Sequence, residues 1–141
     1  MKDLRLFVPG IPAPQGSTRA FVRENRAVVV HANKNTMPWR KLVSDIIIEE
    51  MDKWCPDHTP NKDPYKVTIT FVMPPPKRLG RRRPPHITKP DLDKLVRAIL
   101  DAATGLVWID DSQVTDISAT KQYGDTTGAL IRIQGQGDLP T

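Results

Sequence analysis

The chain has 141 residues, carries 21 Lys and Arg against 16 Asp and Glu, and has a net charge of +5 with an isoelectric point of about 9.6. This length is typical of one domain with its own hydrophobic core, and the basic balance favours a polyanionic partner such as nucleic acid. The single Cys55 excludes an intramolecular disulfide and a cysteine-rich zinc site, and the sequence has no apolar run of the roughly 18 residues that span a membrane.

The N-terminal part is predicted to contain short strands. Leu4, Leu6 and Val8 alternate in "DLRLFVPG", and the charges around them do not fit a signal peptide, so we expect a cytoplasmic protein. The segment "IPAPQGSTR" is predicted to be an ordered loop that ends at Arg19, a candidate DNA contact. The segment "RAVVVH" is predicted to be a strand paired with the region around "RAFVRE".

A helix, a strand and a basic loop are predicted next. Apolar residues recur at helical spacing from Pro38 to about Trp54, and residues 65–73, "YKVTITFVM", alternate as in a strand. The segment 74–90, "PPPKRLGRRRPPHITKP", is too rich in proline for a helix or a central strand, so we expect an exposed loop. Its six basic residues are candidate DNA contacts: Lys77, Arg78, Arg81, Arg82, Arg83 and Lys89.

The C-terminal third is predicted to hold a second helix and two strands. The helix begins after Pro90, with Gly105 at its C-terminal cap, and its buried face is formed by Leu92, Leu95, Val96, Ile99 and Ala103. "GLVWI" is predicted to be a buried strand or turn. "VTDISATKQYG" and "GALIRIQG" are predicted to form an antiparallel hairpin joined by "DTT", followed by a short tail at 135–141. The pattern predicts one α+β domain over residues 1–141, with two main helices and a mixed or antiparallel sheet.

Five aspartates lie in the short span from Lys89 to Val114: Asp91, Asp93, Asp101, Asp110 and Asp111. Asp91 and Asp93 would point about 200° apart if both were helical, so they converge only if Asp91 lies at or before the N-cap. Asp110 and Asp111 follow the reversal at Gly105, and the chain could return them beside the start of the helix. Three carboxylates from two neighbouring elements are the ligands expected for Mg²⁺ or Mn²⁺.

Structural explanations for these aspartates are also open. Aspartate is favoured at helix starts, Asp93 and Arg97 could form a surface ion pair, and "DD" after a strand is common in turns. The position of the cluster beside a strongly basic loop favours the functional reading, in which carboxylates hold a metal and Arg and Lys bind phosphates.

The segments "DLDKL", "DAATG" and "DDSQV", together with Arg97, resemble the RusA-type Holliday-junction resolvases, small endonucleases common in phages and prophages. "VPGIPAPQGSTR" resembles the Pro-rich, basic opening of that family, so the resemblance covers most of the chain. It implies a homodimeric, RusA-like α+β nuclease that acts in DNA recombination and repair. Such an enzyme cuts two opposed strands of a four-way junction, with Mg²⁺ or Mn²⁺ and no small-molecule cofactor.

By the same resemblance, the essential carboxylates and metal ligands are Asp91, Asp93 and Asp111, with Asp110 as the alternative to Asp111. The sequence departs from the family at Lys94, where Asn is usual, and at Arg97, where Lys is usual. Arginine keeps the charge but presents a planar fork of donors, so Arg97 suits a phosphate better than a proton transfer. Lys94 is either a further DNA contact or a charge that weakens metal binding.

Three other functions remain open. The chain could be a catalytically inactive DNA-binding module, an interpretation that Lys94 favours. It could also be a nuclease of broader specificity for branched DNA. An RNA-binding protein has little support, because the aromatic strand motifs of RNA-recognition domains are missing from the sequence. Trp39, Trp54 and Trp108 are predicted to lie in the core or in a dimer interface.

Overall fold

The computed structural model describes residues 1–16, 18–23, 26–31 and 34–137, with the backbone alone for 18–23 and 26–31. Its two main helices and its mixed sheet confirm the predicted α+β class. The elements are β1 (Asp3–Pro9), β2 (Thr18–Arg23), β3 (Arg26–His31), α1 (Thr36–Trp54), β4 (Tyr65–Met73), α2 (Leu92–Ala103), β5 (Val114–Tyr123) and β6 (Gly128–Gly135). Single 3₁₀ turns at Lys77–Leu79 and Asp111–Gln113 complete them.

The main sheet has four strands in the order β1-β6-β4-β5, antiparallel except for the parallel pair β4 and β5. Strands β2 and β3 form a separate antiparallel hairpin, with Thr18 opposite His31 and Arg23 opposite Arg26. This confirms the predicted pairing of the two N-terminal segments. The side chain of Arg19, a predicted DNA contact, lies outside the described residues.

The prediction of an antiparallel hairpin between β5 and β6 was wrong, because β4 lies between them. Residues 124–127 cross the end of β4, a distance of roughly two strand spacings or 10 Å. A Cβ at Gly124 would lie 2.5 Å from Cγ1 of Val72, so glycine permits this close passage. Burial explains the order: Ala129, Ile131 and Ile133 of β6 are buried at the centre of the sheet, whereas β5 is exposed along most of its length, as edge strands often are.

Both helices pack on one face of the sheet. Helix α1 contacts β1 and α2, and α2 also contacts β5. Alternate strand residues point into this core, as the period of two predicts, and the helices contribute Trp39, Val43, Ile47, Leu95 and Ile99. Within the described part of the chain, neither helix is long and apolar enough to cross a membrane.

The C-terminal segment is held to the domain beyond the predicted start of the tail. Gly135 still belongs to β6 and its N–H donates to the Lys2 carbonyl at 3.1 Å, while the Gln136 N–H donates to the Pro64 carbonyl at 2.9 Å. Residues 138–141 of the predicted tail lie outside the described residues.

Candidate active site

The start of α2 has the backbone geometry that the sequence predicts for Asp91. This residue is the N-cap, with extended φ and ψ of −68° and 137°, and its carbonyl accepts the first helical hydrogen bond, from Leu95 N–H at 3.1 Å. Its carboxylate lies 3.6 Å from Nζ of Lys94, so the residue that departs from the family pattern pairs with a predicted metal ligand. Asp93 is exposed one residue inside the helix.

The turn that carries Asp110 and Asp111 is fixed by Gln113. The Gln113 side-chain oxygen accepts the N–H groups of Ile109 and Asp110 at 3.1 and 2.9 Å. Its amide nitrogen donates to the carbonyls of Asn61 and Asp63 at 2.8 and 2.9 Å. A glutamine at this place in "DDSQV" therefore ties the aspartate turn to the segment that precedes β4.

Asp110 and Asp111 have different surroundings. The Asp110 carboxylate caps the 3₁₀ turn by accepting the Ser112 N–H at 2.9 Å, and this hydrogen bond holds the pKa of Asp110 below its usual range. Partial burial of the Asp111 carboxyl, reinforced by the nearby carboxylates of Asp110 and Asp101, raises the pKa of Asp111, while Arg97 opposes the change. Asp110 therefore stabilises the turn, whereas Asp111 is the carboxylate whose ionised form is disfavoured by its surroundings.

A polar recess of about 380 Å³ opens beside this turn. It is lined by Arg40, Asp101, Thr104, Ile109, Asp110 and Asp111. Asp101 belongs to the aspartate-rich span of the sequence but was not a predicted site residue, and Arg40 was not predicted either. Arg40 lies on α1, far along the chain from the aspartates, so local sequence carried no signal that would place it here.

Asp111 lines the recess together with Asp101, and its charged neighbours on α2 are Asp101 and Arg97, at the end and in the middle of that helix. Asp91 and Asp101 are ten residues apart, which is about 15 Å along a helix axis. Among the residues that the structure describes, no three His, Cys, Asp or Glu side chains lie close enough together to hold a metal ion. The assignment of Asp91, Asp93 and Asp111 as ligands of one ion stays a prediction.

The carboxylates of the recess, Asp101, Asp110 and Asp111, nevertheless have the oxygen donors that Mg²⁺ uses, although the predicted ligands Asp91 and Asp93 do not line it. This ion uses oxygen ligands, and proteins often hold it with one or two carboxylates while water and substrate phosphates fill the other positions. The raised pKa of Asp111 reflects partial burial and crowded negative charge, and a bound cation would relieve the repulsion between these carboxylates.

The predicted basic loop is largely exposed and is anchored at a few points. Leu79 and His86 are buried, His86 stacks on Tyr123 with ring centroids 4.4 Å apart, and Nζ of Lys121 donates to the carbonyls of Thr88 and Pro90 at 2.6 and 2.8 Å. Burial, with a smaller contribution from Lys121, lowers the pKa of His86. The last two carbonyl contacts come directly before Asp91, so strand β5 holds the segment that leads into the aspartates.

The arginines of this loop differ in their contacts. Arg83 donates to the carbonyls of Gly80 and Arg82 at 2.8 and 2.9 Å and lies 3.0 Å from Asp125, so it holds the loop together. Arg81 is exposed and makes no hydrogen bond or ion pair with the described part of the chain. Lys77, Arg78 and Lys89 are also exposed.

The chain matches a family model and a curated protein. The model of a family described as "Endodeoxyribonuclease RusA" matches residues 9–134, which is most of the chain. The chain is also 26% identical over 146 residues to "Uncharacterized protein YqaN" of Bacillus subtilis (strain 168), and this match covers 95% of the chain and 97% of that protein.

Proposed function

The chain belongs to the RusA endodeoxyribonuclease family, and on that premise we propose that it is a homodimeric Holliday-junction resolvase that cuts two opposed strands of four-way DNA with Mg²⁺ or Mn²⁺. The observation that carries this proposal is the turn at Asp110 and Asp111, which Gln113 fixes beside Asp101 and Arg97. Carboxylates next to arginines suit a reaction in which both a metal and a phosphodiester must be held.

In this proposal the essential carboxylates are Asp91, Asp93 and Asp111, and a metal that they hold would activate water and offset charge on the scissile phosphate. The capping role of Asp110 supports Asp111 as the third member, because the Asp110 carboxylate already accepts a backbone N–H. Arg97 lies on the exposed side of α2, close enough to Asp111 to oppose the rise in its pKa, and would bind a phosphate oxygen in the transition state.

An inactive DNA-binding module is the second candidate. The observation that favours it is the 3.6 Å ion pair between Lys94 and Asp91, since a lysine there competes with a cation for the same carboxylate. Exposed ion pairs contribute little free energy, so a divalent ion or a phosphate would displace Lys94 at small cost. A nuclease that acts on several kinds of branched DNA is the third candidate, and it shares the same site.

The test of the function is cleavage of a synthetic mobile four-way junction with Mg²⁺, compared with a linear duplex of the same sequence. Paired, symmetric nicks in the junction alone would establish the resolvase. Cleavage of forks and flaps at similar rates would point to the broader nuclease. Tight junction binding without cutting under Mg²⁺ or Mn²⁺ would establish the inactive module, and Lys94→Asn would then test whether this lysine is the cause.

Arg81→Ala is expected to weaken junction binding and to lower the slope of log affinity against log salt by about 1, because one phosphate contact is lost. Arg81 is the better position to change, because its loss removes no contact within the loop, whereas Arg83 also stabilises the loop through Gly80 and Asp125. Affinity would be measured across a salt series, with Arg132→Ala as the control, because Arg132 is paired with Asp3 at 2.9 Å on the sheet. An unchanged slope for Arg81→Ala and for the triple change at Arg81, Arg82 and Arg83 would show that these three arginines do not contact DNA.

A further inference from the structure

Arg40 lies in the first turns of α1 and lines the same recess as Asp101, Asp110 and Asp111. Its side chain is half-buried, and its Nε–H is buried without a hydrogen-bond partner among the described residues. Its Nη1 makes two long contacts, with Oε1 of Gln15 at 3.4 Å and Sδ of Met37 at 3.7 Å. The buried Nε–H is out of reach of a ligand, but Nη2 makes no hydrogen bond to the described residues and is not buried, so this end of the guanidinium can bind an acceptor that enters from outside the chain.

The aspartates of the recess are not acceptors for the Arg40 guanidinium. Among the described residues, the ion pairs within 4.0 Å include none between Arg40 and Asp101, Asp110 or Asp111. In the described part of the chain, the Arg40 guanidinium therefore lines the recess together with these aspartates but forms no ion pair with them. The recess of about 380 Å³ has room for roughly 13 waters at about 30 Å³ each.

The surroundings of Arg40 also hold it in position. The Gln15 N–H donates to the Lys94 carbonyl of α2 at 2.9 Å, and Oγ1 of the buried Thr36 donates to the Pro14 carbonyl at 2.6 Å. These bonds fix the N-terminal loop against both helices, and Gln15 then orients the guanidinium. A fixed, planar fork of donors is the geometry that binds two oxygens of a phosphate group.

From these contacts we infer that Arg40 binds the non-bridging oxygens of a DNA phosphodiester that enters the recess opposite the aspartates. The inference rests on the proposed function and deepens it, because it assigns the phosphate to a residue of α1. An anion would not enter beside three carboxylates without a fixed cation, and Arg40 supplies that cation at the wall of the recess. The competing explanation is that Arg40 only offsets the charge of the aspartates.

The test is a double-mutant cycle on binding in metal-free buffer with EDTA. One axis is Arg40→Met, which keeps the aliphatic stem, and the other is a single uncharged methylphosphonate placed in turn at each phosphate around the branch point. We expect Arg40→Met to weaken binding of the all-phosphate junction roughly 10-fold, the size of one lost charge-assisted hydrogen bond. At one position, the methylphosphonate should weaken junction binding by the wild type by the same factor. It should not weaken binding by Arg40→Met any further.

Two further variants separate the phosphate contact from charge and from folding. Arg40→Lys keeps the charge without the fork and should recover only part of the affinity. Lys53→Met removes a charge at the far end of α1, where Lys53 lies 3.4 Å from Glu50, and should bind as the wild type does. Thermal unfolding of each variant would establish that it is folded.

If the losses of affinity from Arg40→Met and from the methylphosphonate add at every phosphate position, Arg40 contacts none of these phosphates. If Arg40→Lys restores the full affinity, the charge alone is enough. Either result would overturn the contact in favour of simple charge compensation. Wild-type affinity in Arg40→Met would overturn it outright. If the wild type binds junction and linear duplex with equal affinity, only the proposed preference for junctions is contradicted. The double-mutant cycle would then be measured on the duplex. Wild-type protein that binds neither DNA would remove the proposed function and the Arg40 contact together.

Discussion

Asp93→Asn is expected to lower the rate of junction cleavage at least about 100-fold, the size of effect seen when one preorganised electrostatic group is removed from an active site. Asparagine has nearly the same shape but no charge, so it holds a divalent ion weakly. Asp93 is exposed on α2, one turn before Arg97, and the change should leave folding intact. Junction affinity in EDTA should change little, because that affinity comes mostly from phosphate contacts with basic residues.

The measurement is single-turnover cleavage over a series of Mg²⁺ concentrations, paired with junction binding. Asp45→Asn is the matched control, since Asp45 is also an exposed helical aspartate, paired with Lys41 at 2.8 Å on the other helix. A cleavage rate for Asp93→Asn equal to that of the wild type would show that Asp93 is not an essential carboxylate of the site. A rate that recovers at high Mg²⁺ would instead identify Asp93 as a metal ligand rather than as a proton acceptor.

Features that depend on neighbouring residues could be predicted from the sequence. The N-cap position of Asp91, the buried face of α2 and the reversal at Gly105 follow from local preferences for capping, helical spacing and positive φ. The alternating burial of β4 follows from the strand period of two. Each of these signals lies within a few residues of the feature that it predicts.

Features that depend on distant parts of the chain could not be predicted. The apolar pattern of β6 is compatible with pairing to β5 or to β4, and the choice is made by the packing of the whole sheet. The position of the aspartate turn depends on the length of α2 and on Gln113 contacts with Asn61 and Asp63, about 50 residues away in sequence. Arg40 enters the recess only because α1 packs against α2.

Trp108→Ala is expected to lower the free energy of unfolding by about 3 to 5 kcal/mol, the usual cost of removing a large aromatic side chain from a core. Trp108 is fully buried, its ring centroid lies 5.5 Å from that of Tyr65, and its Nε1–H donates to Oγ1 of Thr104 at 3.0 Å. Its carbonyl also accepts the Gly105 N–H at 2.8 Å. Truncation leaves a cavity beneath the chain that leads to Asp110, so cleavage should fall in the fraction of protein that remains folded.

Trp54→Ala is the matched control, because the Trp54 side chain is 73% exposed at the end of α1 and bonds only to Glu50 within the described residues. Urea unfolding of both variants should give a change within about 0.5 kcal/mol for Trp54→Ala and a much lower midpoint for Trp108→Ala. Trp108→Phe should fall between them, since phenylalanine refills most of the cavity but cannot donate to Thr104. Stability of Trp108→Ala equal to the wild type would mean that this tryptophan does not support the aspartate turn, and the rigidity of the turn would then come from its hydrogen bonds to Gln113 and Asp110.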